Sequence, residues 1–126
     1  MSSNSDIPEG VERFLLTRIP SVPCLEAALL FHAMPTLART AREIAQALYL
    51  PDHAALKILQ ALIDNGIVTA EGDHYCYAPG EQSHRMLDQV ALAYKDNLIG
   101  VTQLIHNSTR KSAQRFADAF KLRKDV

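Results

Sequence analysis

Apolar residues recur along this chain at steps of three and four, except over one short stretch where they alternate, and the change of period divides the sequence into helices and a single hairpin. Val11, Phe14, Leu15 and Ile19 share one side of a segment that opens at Pro8 and Glu9 and ends at Pro20. Ser21 starts a second helix in which Leu25, Ala28, Leu29 and His32 recur at helical spacing, with Pro23 tolerated in the first turn and Pro35 marking the stop. Its wide apolar surface predicts a central position. Thr40-Ala41-Arg42-Glu43 has the form of a capping box: the Thr hydroxyl accepts from the amide three residues on, and the Glu carboxylate reaches back. Ile44, Ala45 and Leu48 then face inward. After the interruption at Leu50-Pro51-Asp52, the residues Ala55, Ile58, Leu59, Leu62 and Ile63 continue at helical spacing to Asn65-Gly66, where glycine can take a positive φ.

Beyond Gly66 the period changes to two. Ile67-Val68-Thr69 and His74-Tyr75-Cys76-Tyr77 are β-type runs on either side of Glu71-Gly72-Asp73, which predicts a hairpin closed by Pro79-Gly80. One long helix is expected over residues 81–105, with Leu87, Val90, Tyr94, Leu98, Val101 and Ile105 as its stripe. Such a helix is longer than a small core can cover, so the stripe predicts a homodimer formed through residues 81–107. Asn107-Ser108-Thr109 reads as a break and cap before a basic terminal helix with Ala113, Phe116, Ala117 and Phe120 on its apolar face. The fold class expected is mainly α with a small antiparallel β-hairpin. The chain divides into an N-terminal arm and short helix over 1–20, a central unit over 21–79, and a helical dimerisation or interaction extension over 80–126.

Composition adds limits. With 126 residues, 48% hydrophobic and 21% charged, the chain has the make-up of one globular domain and needs no staple. Cys24 and Cys76 form no CxxC pair, which suits reduced thiols and a cytoplasmic location. Asp6, Glu9, Glu12 and Arg13 break the first twenty residues, and the longest apolar run, Ala27 to Phe31, is far short of a span, so no export or membrane segment is expected. The sequon at Asn107 then carries no meaning. The net charge of −1 is unevenly spread: residues 1–80 hold five Lys/Arg against nine Asp/Glu, and residues 81–126 hold eight against five. Arg110, Lys111, Arg115, Lys121, Arg123 and Lys124 gather positive charge at the end, where it would meet phosphate or an acidic protein partner.

Helix, helix, turn, helix and hairpin in that order, together with Arg42 to Leu50 and Leu59 to Val68, resemble the winged helix-turn-helix of MarR-like transcriptional regulators over residues 21–79. The resemblance implies a dimeric DNA-binding protein whose second motif helix, residues 52–64, enters the major groove and whose hairpin is the wing. The readers it implies are Arg39 and Arg42 as phosphate anchors, His53, Lys57 and Gln60 on the recognition helix, and His74 on the wing. This chain departs from the family pattern. Ala54 and Leu56 offer no donors, Asp52 and Asp64 repel phosphate, and the wing tip carries Glu71 and Asp73 where the family has cations. A second reading therefore stands beside the first, in which the winged helix has become a protein-interaction module with Ala54 and Leu56 in a docking patch.

Enzymatic chemistry finds no support in the pattern, because a Gly-rich phosphate loop, GxSxG and HExxH are all missing. No cofactor or metal is expected. The nearest approach to a metal set is His74 and Cys76 on one strand with Cys24 or His84, at a spacing that matches no familiar zinc arrangement. His32 is expected as a hydrogen-bonded inward histidine, His84 and His106 as surface residues, and Tyr75 and Tyr77 as hairpin packing.

Overall fold

The computed structural model describes residues 7–108. Helix α1 (Glu9–Arg18) and α2 (Val22–Ala33) meet at 110°. A two-residue strand β1 (Arg39–Thr40) leads into α3 (Ala41–Leu48) and α4 (Asp52–Asp64), and the hairpin β2 (Val68–Glu71) and β3 (His74–Tyr77) leads into α5 (Glu81–Asp96). A further helix, α6, occupies residues 98–108. The architecture is thus mostly helical with one small antiparallel sheet, in the strand order β1-β3-β2. Among the described residues no single helix is long and apolar enough to cross a membrane.

The local signals act as their chemistry requires. Ser21 caps α2 by accepting from the Cys24 amide at 3.2 Å, and Pro23 sits in its first turn. Thr40 and Glu43 form the complete capping box of α3: the Glu43 amide donates to the Thr40 hydroxyl at 3.2 Å and the Thr40 amide to the Glu43 carboxylate at 2.8 Å. Gly66 ends the α4 turn with φ of 73°. In the hairpin, Gly72 alone takes a positive φ, 64°, which suits glycine at the first central position of a two-residue type II′ turn.

One core joins the helices and the hairpin. Val11, Phe14, Leu15 and Ile19 of the first segment, Leu25, Ala28 and Phe31 of α2, Ile44 and Ala45 of α3, and Ala55, Leu59 and Leu62 of α4 are buried in a single cluster. Leu87 and Val90 from α5 and Val101 and Ile105 from α6 belong to the same cluster. Helix α2 is central, as its wide apolar surface predicts, and packs against α3, α4, α5 and β3. Arg18 and Asn65 bind reciprocally: the Arg18 guanidinium donates to the Asn65 carbonyl at 3.0 Å and the Asn65 amide group donates to the Arg18 carbonyl at 2.9 Å. The end of α4 is thereby fixed to the end of α1.

Two expectations are corrected. The single helix over 81–105 is broken at Asn97, whose φ of −144° and ψ of 61° leave the helical region and whose side-chain oxygen accepts from the Gly100 amide at 3.1 Å. Asn97 ends α5 and starts α6, so the two helices bend around the core instead of projecting from it. The dimer stripe is corrected with it: Leu87, Val90, Val101 and Ile105 are at most 1% exposed and Tyr94 packs on the same core, so of the six only Leu98, 52% exposed, faces outward. Of the break expected at Asn107-Ser108-Thr109, Asn107 and Ser108 are helical, and Thr109 lies outside the described residues. The basic terminal helix, with Phe116, Phe120 and the six terminal cations, lies outside the described residues. Strand β1 carries no sequence signal, being two residues long; it pairs Arg39 with Tyr75 and Thr40 with His74.

Candidate functional site

Helix α4 presents one face to the core and the other to solvent, because Ala55, Leu59 and Leu62 recur on one stripe. The opposite edge carries His53, Leu56, Lys57 and Gln60, all exposed, with Leu56 half-exposed at 50%. Ala54 and Ala61 are only partly exposed. Arg39 and Arg42 lie at the start of α3 on either side of the cap, and β3 pairs directly with the strand that holds Arg39. The turn between α3 and α4 holds Tyr49 in the left-handed region, φ 56°, with its ring 94% exposed. Nothing in the sequence pattern marks Tyr49.

Each polar reader but two already has a neighbour. Arg42 pairs with Asp52 at 3.6 Å, the Gln60 amide donates to Asp64 at 2.9 Å, and His74 Nδ1 lies 2.7 Å from Asp73. Arg39 donates to the Met34 sulfur at 3.7 Å, a weak acceptor, and its Nε is buried with no hydrogen-bond partner among the described residues. Lys57 and His53 make no ion pair among the described residues. The carboxylates read from the sequence as repulsive thus act locally: Asp52, Asp64 and Asp73 each hold one candidate reader. Exposed pairs of this kind contribute about 0–1 kcal/mol, so they are readily exchanged for another anion.

The cysteines do not assemble with His74. Cys24 is buried in the core, and its burial pushes the thiol up to about 12. Cys76 donates to Glu71 at 3.7 Å, and desolvation together with that carboxylate raises its pKa. Neither sits as a thiolate ligand at neutral pH.

A different group comes together where α2, α5 and the end of β3 meet. His32, in the last turn of α2, donates from Nε2 to Asp88 of α5 at 2.6 Å. His84, one turn before Asp88, places Nε2 3.8 Å from the other carboxylate oxygen, and its Nδ1 is hydrogen-bonded to the Tyr77 hydroxyl at 2.7 Å. The rings of His32, His84 and Tyr77 stand 5.8 to 6.2 Å apart. The hydrogen bond from His32 holds Asp88 below the usual carboxylate range, and burial, reinforced by the Asp88 charge, pushes Tyr77 up to about 12. His32 is hydrogen-bonded as expected, but at the rim of the core. His84 is half-exposed yet tied on both ring nitrogens, and Tyr77 is more than hairpin packing. The four-residue spacing of His84 and Asp88 puts both on one helix face and is readable in the sequence; the fifty-six residues to His32 are not.

Comparisons with protein-family profiles, curated proteins and solved structures find no match to this chain.

Proposed function

We propose that the chain is a winged helix-turn-helix protein that binds double-stranded DNA and regulates transcription as a homodimer. The observation that supports this most is the bare edge of α4, where His53, Lys57 and Gln60 stand exposed beside the paired β1-β3-β2 sheet, with Arg39 and Arg42 at the adjoining helix start. In this reading Arg39, Arg42 and Lys57 take phosphates, Gln60 and His53 reach base edges, and β2 and β3 form the wing with His74 near its tip. Phosphate replaces Asp52 on Arg42. The near balance of cations and carboxylates on this face makes the affinity modest and the salt dependence shallow.

The test is titration of a labelled random duplex at about 50 mM and about 200 mM salt. Binding is expected at the lower concentration, and Arg42→Ala with Lys57→Ala should reduce the slope of log affinity against log salt by nearly two. Asp52→Asn frees Arg42 and should tighten binding. No duplex binding at the lower concentration overturns the reading.

One observation favours a second reading, a protein-docking surface: Tyr49 and Leu56, 94% and 50% exposed, give the α3–α4 turn and the α4 edge an apolar character unsuited to phosphate. In that case Leu56→Arg abolishes the complex while Lys57→Ala changes it little; on DNA, Leu56→Arg leaves binding intact or tightens it.

A further inference from the structure

The geometry points to a binding site for one divalent transition-metal ion, of the zinc type, formed by His32, His84 and Asp88. It is separate from the α4 edge and independent of the DNA reading.

Three properties carry it. The first is convergence: one donor atom from each of the three residues lies within 4.8 Å of the other two. Donors sharing a tetrahedral ion at bond lengths of about 2.0–2.2 Å stand roughly 3.3–3.6 Å apart. The 2.6 Å from His32 to Asp88 Oδ1 and the 3.8 Å from His84 to Asp88 Oδ2 fall on either side of that separation, so an ion enters with side-chain shifts on the order of 1 Å.

The second is the donor set. Two imidazoles and one carboxylate suit zinc, nickel, cobalt or copper, and are poor for calcium or magnesium, which take all-oxygen shells. Three protein donors leave a fourth position for water. That position is open to solvent, since the His84 and Asp88 side chains are 48% and 54% exposed while His32 is 19% exposed.

The third is the outer support. A histidine that ligates through Nε2 needs its Nδ1–H held by an acceptor, and the Tyr77 hydroxyl stands at Nδ1 of His84 at 2.7 Å. With an ion on Nε2, the Tyr77 hydroxyl is placed to accept from Nδ1–H and hold the ring in the coordinating tautomer. On the other histidine, coordination through Nε2 displaces the proton it shares with Asp88.

The elements involved are the end of α2, the first half of α5 and, through Tyr77, strand β3. An ion here therefore links two helices and the sheet, and binding stabilises the fold by mass action.

The experiment uses the full chain without an affinity tag, treated with chelator and titrated with Co²⁺ and then Zn²⁺ at pH 7. One saturable Co²⁺ per chain is expected, with a visible d–d absorption band that Zn²⁺ removes, and a rise in melting temperature with Zn²⁺. His84→Ala and Asp88→Asn should each weaken binding at least ten-fold and abolish the thermal shift, and Tyr77→Phe should weaken it about 10–100-fold. His53→Ala and His106→Ala should leave it unchanged. Circular dichroism of the metal-free variants checks their fold; His84 and Asp88 are half-exposed, so these two remain testable if His32→Ala does not fold. Absence of saturable binding, or binding of equal strength in His84→Ala and Asp88→Asn, overturns the proposal.

Discussion

Tyr49 shows how a single residue can run against local preference. It ends α3 in the left-handed region, where glycine is the usual occupant, because a side chain there crowds the following carbonyl. Its amide still donates to the carbonyls of Ala45 and Gln46, so the geometry of the turn into Pro51 is kept while the ring stands in solvent. Tyr49→Gly should therefore stabilise the protein by roughly 0.5–1 kcal/mol, the relief of crowding exceeding the greater freedom of an unfolded glycine. Thermal unfolding measures it. A loss of stability would mean that the ring contributes a contact that its exposure hides. Gly66, by contrast, is legible from the sequence: it follows an apolar helical run and an asparagine, and its φ of 73° is the one that such a stop requires.

At the scale of elements, what was legible depended on whether the signal was local. The capping box, the proline stops and the hairpin turn are each written within four residues, and each stands in the structure. Strand β1 was not legible, because two residues show no period and its pairing partner Tyr75 is distant in sequence. The break at Asn97 escapes the pattern for a different reason. The stripe from Leu87 to Ile105 keeps its steps of three and four across the break, and all its members but the exposed Leu98 meet the same core. Periodicity reports which side is buried and is blind to a bend; Asn97 and Gly100 were the available signal, the one a self-capping side chain and the other a poor helix former. The His32, His84 and Asp88 group was half legible, through the helical spacing of its last two members.

The capping box makes a prediction at this same scale. The Thr40 amide and hydroxyl hydrogen-bonded to Glu43 hold its carboxyl below the usual range, with weaker help from the charges of His74 and Arg39. A carboxyl whose folded pKa is depressed adds stability that is present above its unfolded value and is lost as pH falls through the folded one. Melting temperature should accordingly fall as the pH drops from about 5 to about 3, and Glu43→Gln, which keeps a reciprocal hydrogen bond but does not titrate, should flatten that fall. Thr40→Ala should cost about 1 kcal/mol at neutral pH. A Glu43→Gln profile parallel to the parent would show that the cap does not contribute to the acid response.

For the whole molecule, the bend at Asn97 changes which residues can hold two copies together. A straight helix over 81–105 would leave its stripe uncovered; instead α5 packs on α1 and α2, α6 joins the same core, and every stripe residue but Leu98 is turned inward. What remains outside near the bend is Leu92, Leu98 and Ile99, at 62%, 52% and 67% exposure. If the chain is a homodimer, as proposed, these three side chains are the apolar surface available to a second copy. Two substitutions two residues apart then separate folding from association. Val101→Asp buries an unpartnered charge at a site of 0% exposure and should unfold the chain or destabilise it by about 3 kcal/mol or more. Ile99→Asp places the same charge in solvent, so its melting temperature at low concentration should match the parent, while association weakens. Sedimentation at micromolar concentration is expected to give twice the chain mass of 14.0 kDa for the parent and a single chain mass for Ile99→Asp. A parent that sediments as one chain removes the dimer; a parent dimer that survives Ile99→Asp and Leu98→Asp together moves the contact away from the bend.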